Sequence, residues 1–406
     1  MHTTAEHAST SSAGSLARYA VAATLARLAD EMVGVSVVLL VLGRTGDFGL
    51  SGAAVAGYTL PAVLTGPLLG AWLASARHPK LALAANELVL AGVSAGLVAT
   101  VGRAPAAVVL LMTLLAGASL PLTSGGFSSL LPAMVGVAGL PRANTVDAAT
   151  INGAAVAGPA LAGTVAAAFG PATAVGTIGV VAVLSAFATA AVPGRQVIRN
   201  GSPALLRIAR DGLRHLARTP PLRAATLASM ISYGCVGLLV VALPARVVQL
   251  GAPREAAGYV WTAFELGGLA SVLLVVPRLR RFRPELVVFA AVGGYGVVLA
   301  GMAALPTFAL TVAVAVVAGI VEGPCLPSVF VARQRYSPDR LLAQVATTGV
   351  GLKIGAFALG SVLSGALTGP VGPAGMLLLA AAGQVVAAVA GWAVGLTTSA
   401  DPARTP

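Results

Sequence analysis

Charge is what this chain has least of. Asp, Glu, Lys and Arg make up 9% of its 406 residues, against roughly a quarter in a soluble globular domain. So few charges cannot cover a water-facing surface, which excludes an ordinary soluble enzyme or binding module. Aromatic residues reach only 5% and histidines number four, His2, His7, His78 and His215, all in a tail or in expected loops. With no His, Cys or carboxylate cluster at metal-ligand spacing and no nucleophile–base pair, neither a metal, a cofactor nor an enzyme is expected. The two cysteines, Cys235 and Cys325, lie inside apolar runs, where packing is the plainer reading. Residues 1–15 lack a basic segment leading into a short apolar core. They read as a disordered tail, not as a cleaved signal peptide.

What is present is apolar. Hydrophobic residues make up 57% of the chain, gathered in blocks long enough to cross about 30 Å of hydrocarbon at ~20 residues each. Twelve such spans are expected: 16–42, 50–74, 81–101, 105–135, 148–169, 172–193, 224–249, 256–277, 285–305, 307–331, 341–366 and 371–396. The 49 Gly and 25 Pro would break soluble helices, but membrane helices tolerate both.

The basic residues are placed unevenly. With the amino terminus inside, Arg18, Arg77, Lys80, Arg142, the clusters from Arg195 to Arg223 and from Arg278 to Arg283, and Arg333, Arg335, Arg340 and Arg404 lie on cytoplasmic segments. Only Arg44, Arg103, Arg246 and Arg254 fall outside, and Arg27 and Lys353 lie within spans. This asymmetry is the positive-inside rule, and it places both termini in the cytoplasm of a multi-pass plasma-membrane protein. It also accounts for the net charge of +12 without a nucleic-acid partner.

The segment from Gly57 to Gly66 lines up without a gap on Gly258 to Gly267, and the same shift carries Arg77 onto Arg278. A near-equal shift carries Ala116-Gly117 onto Ala318-Gly319. A parallel repeat in a membrane chain points to a two-bundle transporter with its site between the halves. The expected bundles are 16–193 and 224–396, with tails at 1–15 and 397–406 and a linker at 194–223. In that linker Ser202-Pro203 starts a helix. Leu206, Ala209, Leu213 and Leu216 share one of its faces, away from Arg207, Arg210, Arg214 and Arg218. Such a basic amphipathic helix suits the inner leaflet, as a lipid sensor or, more plainly, as a tether.

Three sets of residues carry a family resemblance. The first is Leu28-Ala29-Asp30-Glu31-Met32, then Leu40 to Gly46, Leu60-Pro61 and Gly66-Pro67-Leu68-Leu69-Gly70. The second is Leu140-Pro141-Arg142-Ala143-Asn144 leading into Gly158-Pro159-Ala160-Leu161-Ala162-Gly163. The third is Asp211-Gly212-Leu213-Arg214-His215-Leu216 with Pro221-Leu222-Arg223. In this order the chain resembles a major facilitator superfamily transporter of the drug and siderophore exporter branch, which includes macrolide and enterobactin exporters. The resemblance implies an all-α fold of two pseudo-symmetric six-helix bundles, spans 1, 4, 7 and 10 lining the cavity, and a gating role for Gly158, Pro159 and Gly163. It departs from the family in two places. No carboxylate lies between Asp47 and Glu87, where the loop between spans 2 and 3 normally carries one, and no arginine lies between Arg103 and Arg142 in span 4.

Charge within a bilayer costs a few kcal/mol per group, so each such residue is a functional candidate. Arg27, Asp30 and Glu31 stand near the middle of span 1, and Arg27 is spaced i,i+3 and i,i+4 from the two acids, so it can pair with either. Desolvation and a neighbouring cation together set how readily a buried carboxylate takes a proton. The expectation is that Asp30 carries the coupling proton, Glu31 assists and Arg27 is a movable counter-charge; a static ion pair is the alternative. In the second half, Lys353 is expected to pair with Glu322 or Glu265 in one state and release it in the other. Trp261, at i,i+4 from Glu265, and Tyr233 would add aromatic contacts for a lipophilic cation; a structural ion pair is the alternative. Glu87 reads as an interfacial structural carboxylate, and Asp147 and Asn152 as packing residues. Gly158, Pro159 and Gly163, with Gly66, Pro67 and Gly70, suit close helix packing and gating. Pro121, Pro132, Pro324 and Pro327 predict broken helices.

The reading is a proton-coupled efflux antiporter for small amphipathic molecules such as antibiotics, working as a monomer by alternating access. Span 4 offers Thr113, Ser119, Thr123 and Ser124, and span 7 offers Ser229, Ser232 and Tyr233, a weakly polar lining. The alternatives are a siderophore or metabolite exporter, an uptake carrier on the same fold, or a lipid-handling membrane protein that does not transport.

Overall fold

The computed structural model describes residues 2–192, 205–279 and 281–396, which hold helices and no strand. Two compact units divide the chain: Met1–Ser202 with Pro253–Thr262, and Pro203–Ala252 with Ala263–Pro406. The division at 202 falls within the expected linker 194–223, and Pro253–Thr262 is a short excursion into the first unit.

The first unit holds α1 (His2–Thr45), α2 (Phe48–Thr59), α3 (Pro61–Ser75), α4 (Pro79–Thr100), α5 (Ala106–Pro121), α6 (Leu131–Phe169) and α7 (Pro171–Ala190). Residues 2–15, expected as a disordered tail, continue α1; no proline interrupts the stretch, and its first glycine is Gly14. α1 lies against α6 and α7, and α4 against α7. Met32, Val37, Leu40, Tyr58, Val93 and Ile178 form the core of one end of the unit, and Tyr19, Leu83, Phe127 and Leu131 that of the other.

The fourth expected span is not one helix. Pro121 ends α5, and a π turn (Leu122–Gly126) and a 3-10 turn (Ser128–Leu130) follow. Pro132 then opens α6 instead of kinking the same span, and Leu140 to Asn144, expected as a loop, runs on inside α6. A proline in a first turn lacks only an N–H that has no partner there anyway, so it starts a helix as readily as it breaks one.

The second unit holds α8 (Leu205–Arg218), α9 (Pro220–Gly237), α10 (Leu239–Gln249), most of α11 (Ala257–Leu274), α12 (Val276–Leu279), α13 (Pro284–Ala303), α14 (Phe308–Glu322), α15 (Cys325–Tyr336), α16 (Asp339–Val371) and α17 (Pro373–Leu396). α9 and α10 are the expected seventh span, bent by 44°. Ser364 of α16 ties the bend: its hydroxyl accepts from the Val241 N–H at 3.1 Å and donates to the Leu238 carbonyl at 2.5 Å. The tenth span breaks at Gly323-Pro324, with Pro327 in the first turn of α15.

The Ser202-Pro203 helix start lies outside the described residues. Of the four apolar residues expected to share one face of α8, the side chains of Leu206 and Ala209 lie outside the described residues. Gly212 and Leu216 are buried, Leu216 with Leu222 and Val345, while Leu213 is exposed. Gly212 lets α8 lie close on α16, since a Cβ there would stand 2.7 Å from Gln344 Cβ. At Gly212 and Leu216 the helix is docked on protein.

The repeat survives in altered register. Gly170-Pro171 and Gly372-Pro373 make the same helix-to-helix turn, each with the glycine at positive φ (89° and 79°), a conformation that favours glycine. They stand at the spacing that separates Ala116-Gly117 from Ala318-Gly319. The ungapped match of Gly57 with Gly258 is not a structural one. Gly117 packs on Gly57 and Tyr58, and Gly319 on Phe264 and Gly268, while Gly258 packs on Pro159 and Gly163. Small residues recur at helical spacing in both segments, so the two align by composition several residues away from their packing equivalents.

Among the described residues nine helices are long and apolar enough to cross a membrane, or ten with α9 and α10 counted as one span. Two of the twelve expected spans fail that measure for local reasons. The apolar part of α1 contains Arg27, Asp30 and Glu31, and α5 stops short at Pro121.

Candidate functional site

The first unit buries a charged network. Arg27 of α1, 4% exposed, places Nη1 2.7 Å from the Asp147 carboxylate of α6. The same guanidinium donates to the Thr150 hydroxyl, to the Asp147 carbonyl at 3.1 Å and to Ser128 Oγ at 3.1 Å. Tyr19 and Ser128 in turn donate to the two Asp147 oxygens, Ser128 at 2.7 Å. A buried ion pair is tolerable only when its remaining donors and acceptors are met, and nearly all are here; Arg27 Nε alone has no partner.

That pairing corrects an expectation. Arg27 can reach Asp30 or Glu31 along its own helix, yet the ion pair it forms is with Asp147. The physical reason is geometric: α6 and the turn before it present a carboxylate, two hydroxyls and a carbonyl together, more acceptors than one carboxylate a turn away on α1. Asp147, expected to pack, is therefore the centre of the network. As an intramembrane carboxylate it met the same criterion that singled out Asp30.

Asp30 is left without a cation. Tyr58 of α2, 7% exposed, donates its hydroxyl to Asp30, and among the described residues no basic group pairs with the carboxylate. Glu31, on the next position, backs onto α6. A Cβ on Gly158 would stand 2.5 Å from Glu31 Cβ and 3.0 Å from its carbonyl carbon, so only glycine fits at that crossing. Glu87 is fully buried, not interfacial: Asn86 and Thr123 both donate to its Oε1, at 3.1 Å each, and Oε2 has no partner. Asp30, Glu31 and Glu87 all lie within electrostatic reach of Tyr58. The Tyr58 role has one trace in the sequence, its place in the Gly57 to Gly66 segment.

Also in the first unit, Gly163 abuts Gly258, where a Cβ would stand 3.3 Å from the Gly258 Cα and 2.7 Å from the Glu255 carbonyl. Thr164 and Tyr259 share a hydrogen bond of 3.0 Å, and Thr262 donates to the Val156 carbonyl at 3.2 Å. Gly66 makes an ordinary contact with the Pro121 ring, 3.7 Å from an added Cβ. The surroundings of Pro67 and Gly70 in α3 lie outside the described residues.

The second unit brings Lys353 of α16 to Tyr233 of α9, with Nζ 4.6 Å from the ring centroid. Tyr233 also meets Phe357, at 5.2 Å between centroids. Glu322 of α14 lies within electrostatic reach of Lys353 and of Glu265. Neither carboxylate comes within ion-pair distance of Lys353 in this conformation. Trp261 shares α11 with Glu265 at i,i+4. Among the described residues no cluster of His, Cys, Asp and Glu could hold a metal.

Against known proteins, the chain is 26% identical over 398 residues to an uncharacterized MFS-type transporter of Sinorhizobium fredii (strain NBRC 101917 / NGR234), covering 95% of this chain and 94% of that one. It is 28% identical over 184 residues to the multidrug efflux pump Tap of Mycolicibacterium fortuitum, covering 45% and 44%. Among solved structures it resembles the nucleoside transporter NupG (TM-score 0.76, 12% identity, 94% of this chain and 99% of that one). It also resembles a peptide transporter, POT (TM-score 0.75, 13% identity, 94% of each). A bacterial homolog to the human lysosomal transporter Spinster matches too (TM-score 0.71, 12% identity, 95% and 97%). These likenesses establish the fold. A family model described as transmembrane secretion effector matches residues 49–405, and the chain belongs to that family, a multi-pass major facilitator superfamily transporter.

Proposed function

We propose that the protein exports small amphipathic compounds from the cell by alternating access, each cycle driven by proton entry through Asp30. The observation that carries this reading is the division of labour on α1. Arg27 is committed to Asp147, and Asp30 is left with a tyrosine hydroxyl as its partner. A partly buried carboxylate with no cation beside it sheds its desolvation penalty by taking a proton and recovers its charge when water reaches it. Such a group can alternate with the state of the transporter. Glu31, beside it and packed under Gly158, assists. Arg27 and Asp147 hold α1 against α6 so that the Asp30 position is kept. The family's description as a secretion effector and the partial likeness to an efflux pump support the outward direction. The protein works as a monomer in the plasma membrane, with both termini in the cytoplasm.

The test uses inside-out vesicles with an acid interior reported by a quenched dye, and a panel of amphipathic antibiotics. Wild type dissipates the gradient when a transported compound is added, and Asp30→Asn, inserted at equal level, does not. Compound-driven proton release that persists in Asp30→Asn rules out Asp30 as the carrier. If no compound dissipates the gradient in wild type, the antiport reading is lost.

A further inference from the structure

We propose that Lys353 is a tethered stand-in for cargo: its ammonium rests on the aromatic face of the second unit that an organic cation occupies during transport. This rests on the export reading only for the direction of movement; what it adds is the class of molecule bound.

The ammonium is oddly accommodated. It carries three N–H donors and is strongly hydrated in water, and Lys353 sits well inside α16, a helix long and apolar enough to cross the membrane. Among the described residues it has no carboxylate within ion-pair distance. The contact it makes is with the π face of Tyr233, at 4.6 Å. Tyr233 is 38% exposed, and its ring meets Phe357 at an interplanar angle of 37°, which steadies it from the side. A ring face in this setting attracts ammonium and guanidinium groups and organic cations alike.

The neighbouring titratable groups are carboxyls. Glu322 and Glu265 lie within electrostatic reach of each other, and Lys353 within reach of Glu322. A lysine serving only to neutralise a glutamate would lie against its oxygens, where the attraction is strongest; this one lies on a ring. The cargo that fits is an apolar molecule bearing one permanent or protonated amine-type cation, which displaces the Lys353 ammonium from Tyr233 toward Glu322. Lys353 returns to the ring when cargo leaves, so the face is never bare.

Competition of this kind has an unusual signature, because removing the lysine improves binding. Purified full-length protein in detergent is assayed for equilibrium binding of radiolabelled tetraphenylphosphonium, a permanent cation, beside uncharged triphenylphosphine oxide. Lys353→Met is expected to bind the cation about tenfold more tightly than wild type and the uncharged probe unchanged. Lys353→Arg keeps the competing charge and stays near wild type. Tyr233→Leu combined with Lys353→Met loses the gain. The proposal is overturned if Lys353→Met binds tetraphenylphosphonium no better than wild type, or if both probes gain equally. Should Lys353→Met not elute as a monodisperse peak, Lys353→Gln carries the same expectation. No gradient is needed for binding, so the two readings fail separately. Charge-selective competition without proton coupling sinks the antiport proposal alone. Proton-driven export of uncharged compounds without this competition sinks the present one alone.

Discussion

The Arg27–Asp147 pair offers the most quantitative test of how the first unit is held together. Asp147→Leu removes the carboxylate from a guanidinium that is 4% exposed, and stranding a buried charge costs about 3–5 kcal/mol. Tyr19 and Ser128 lose their acceptor at the same time, at about 1 kcal/mol each where water cannot replace it. Arg27→Met should cost less, about 2–3 kcal/mol, because Tyr19 and Ser128 still donate to the orphaned carboxylate. The double variant strands no charge, so its cost should be near that of Asp147→Leu or below it, a coupling of about 2–3 kcal/mol between the two sites. The measurement is SDS-induced unfolding in mixed micelles, followed by far-ultraviolet circular dichroism, for all four proteins of the cycle. Single-variant costs that simply add in the double variant would refute the reasoning, since the pair would then contribute nothing as a pair.

Two further expectations concern packing. Gly319→Ala would bring a Cβ within 2.8 Å of the Gly268 nitrogen and 2.9 Å of the Phe264 carbonyl carbon. It should destabilise the protein by about 1–3 kcal/mol through forced separation of α14 from α11. Gly301→Ala meets nothing within 4 Å and should be neutral or stabilising by up to about 1 kcal/mol; equal thermal shifts for the two would contradict the crossing described. Ser364→Ala leaves the Val241 N–H at the start of α10 without its acceptor, at about 1–3 kcal/mol. It should lower the thermal midpoint and raise amide exchange at the α9–α10 bend, and unchanged exchange there would show that Ser364 does not hold the bend.

Much of this protein was determined by composition. Apolar blocks with few charges dictate membrane helices, because a bilayer leaves the backbone no other partner than itself. Lone charges inside those blocks mark Arg27, Asp30, Glu265, Glu322 and Lys353 as costly enough to need a reason. The Gly158 to Gly163 motif, now within α6, likewise marked Gly158, whose missing side chain admits the Glu31 backbone. What spacing along one chain could not decide was partnership. Arg27 is a turn away from two acids and pairs with neither choice the spacing offered, because α6 gathers more acceptors at one point than α1 does. Glu87 looked interfacial by its place near a span end, yet α4 and the π turn after Pro121 enclose it. The repeat was legible in outline but set in the wrong register, since small residues at helical spacing match in many alignments and only packed helices choose one. Helix formation is local and is written in each segment. The pairing of charges depends on which helices meet, and that is fixed only when the whole unit closes.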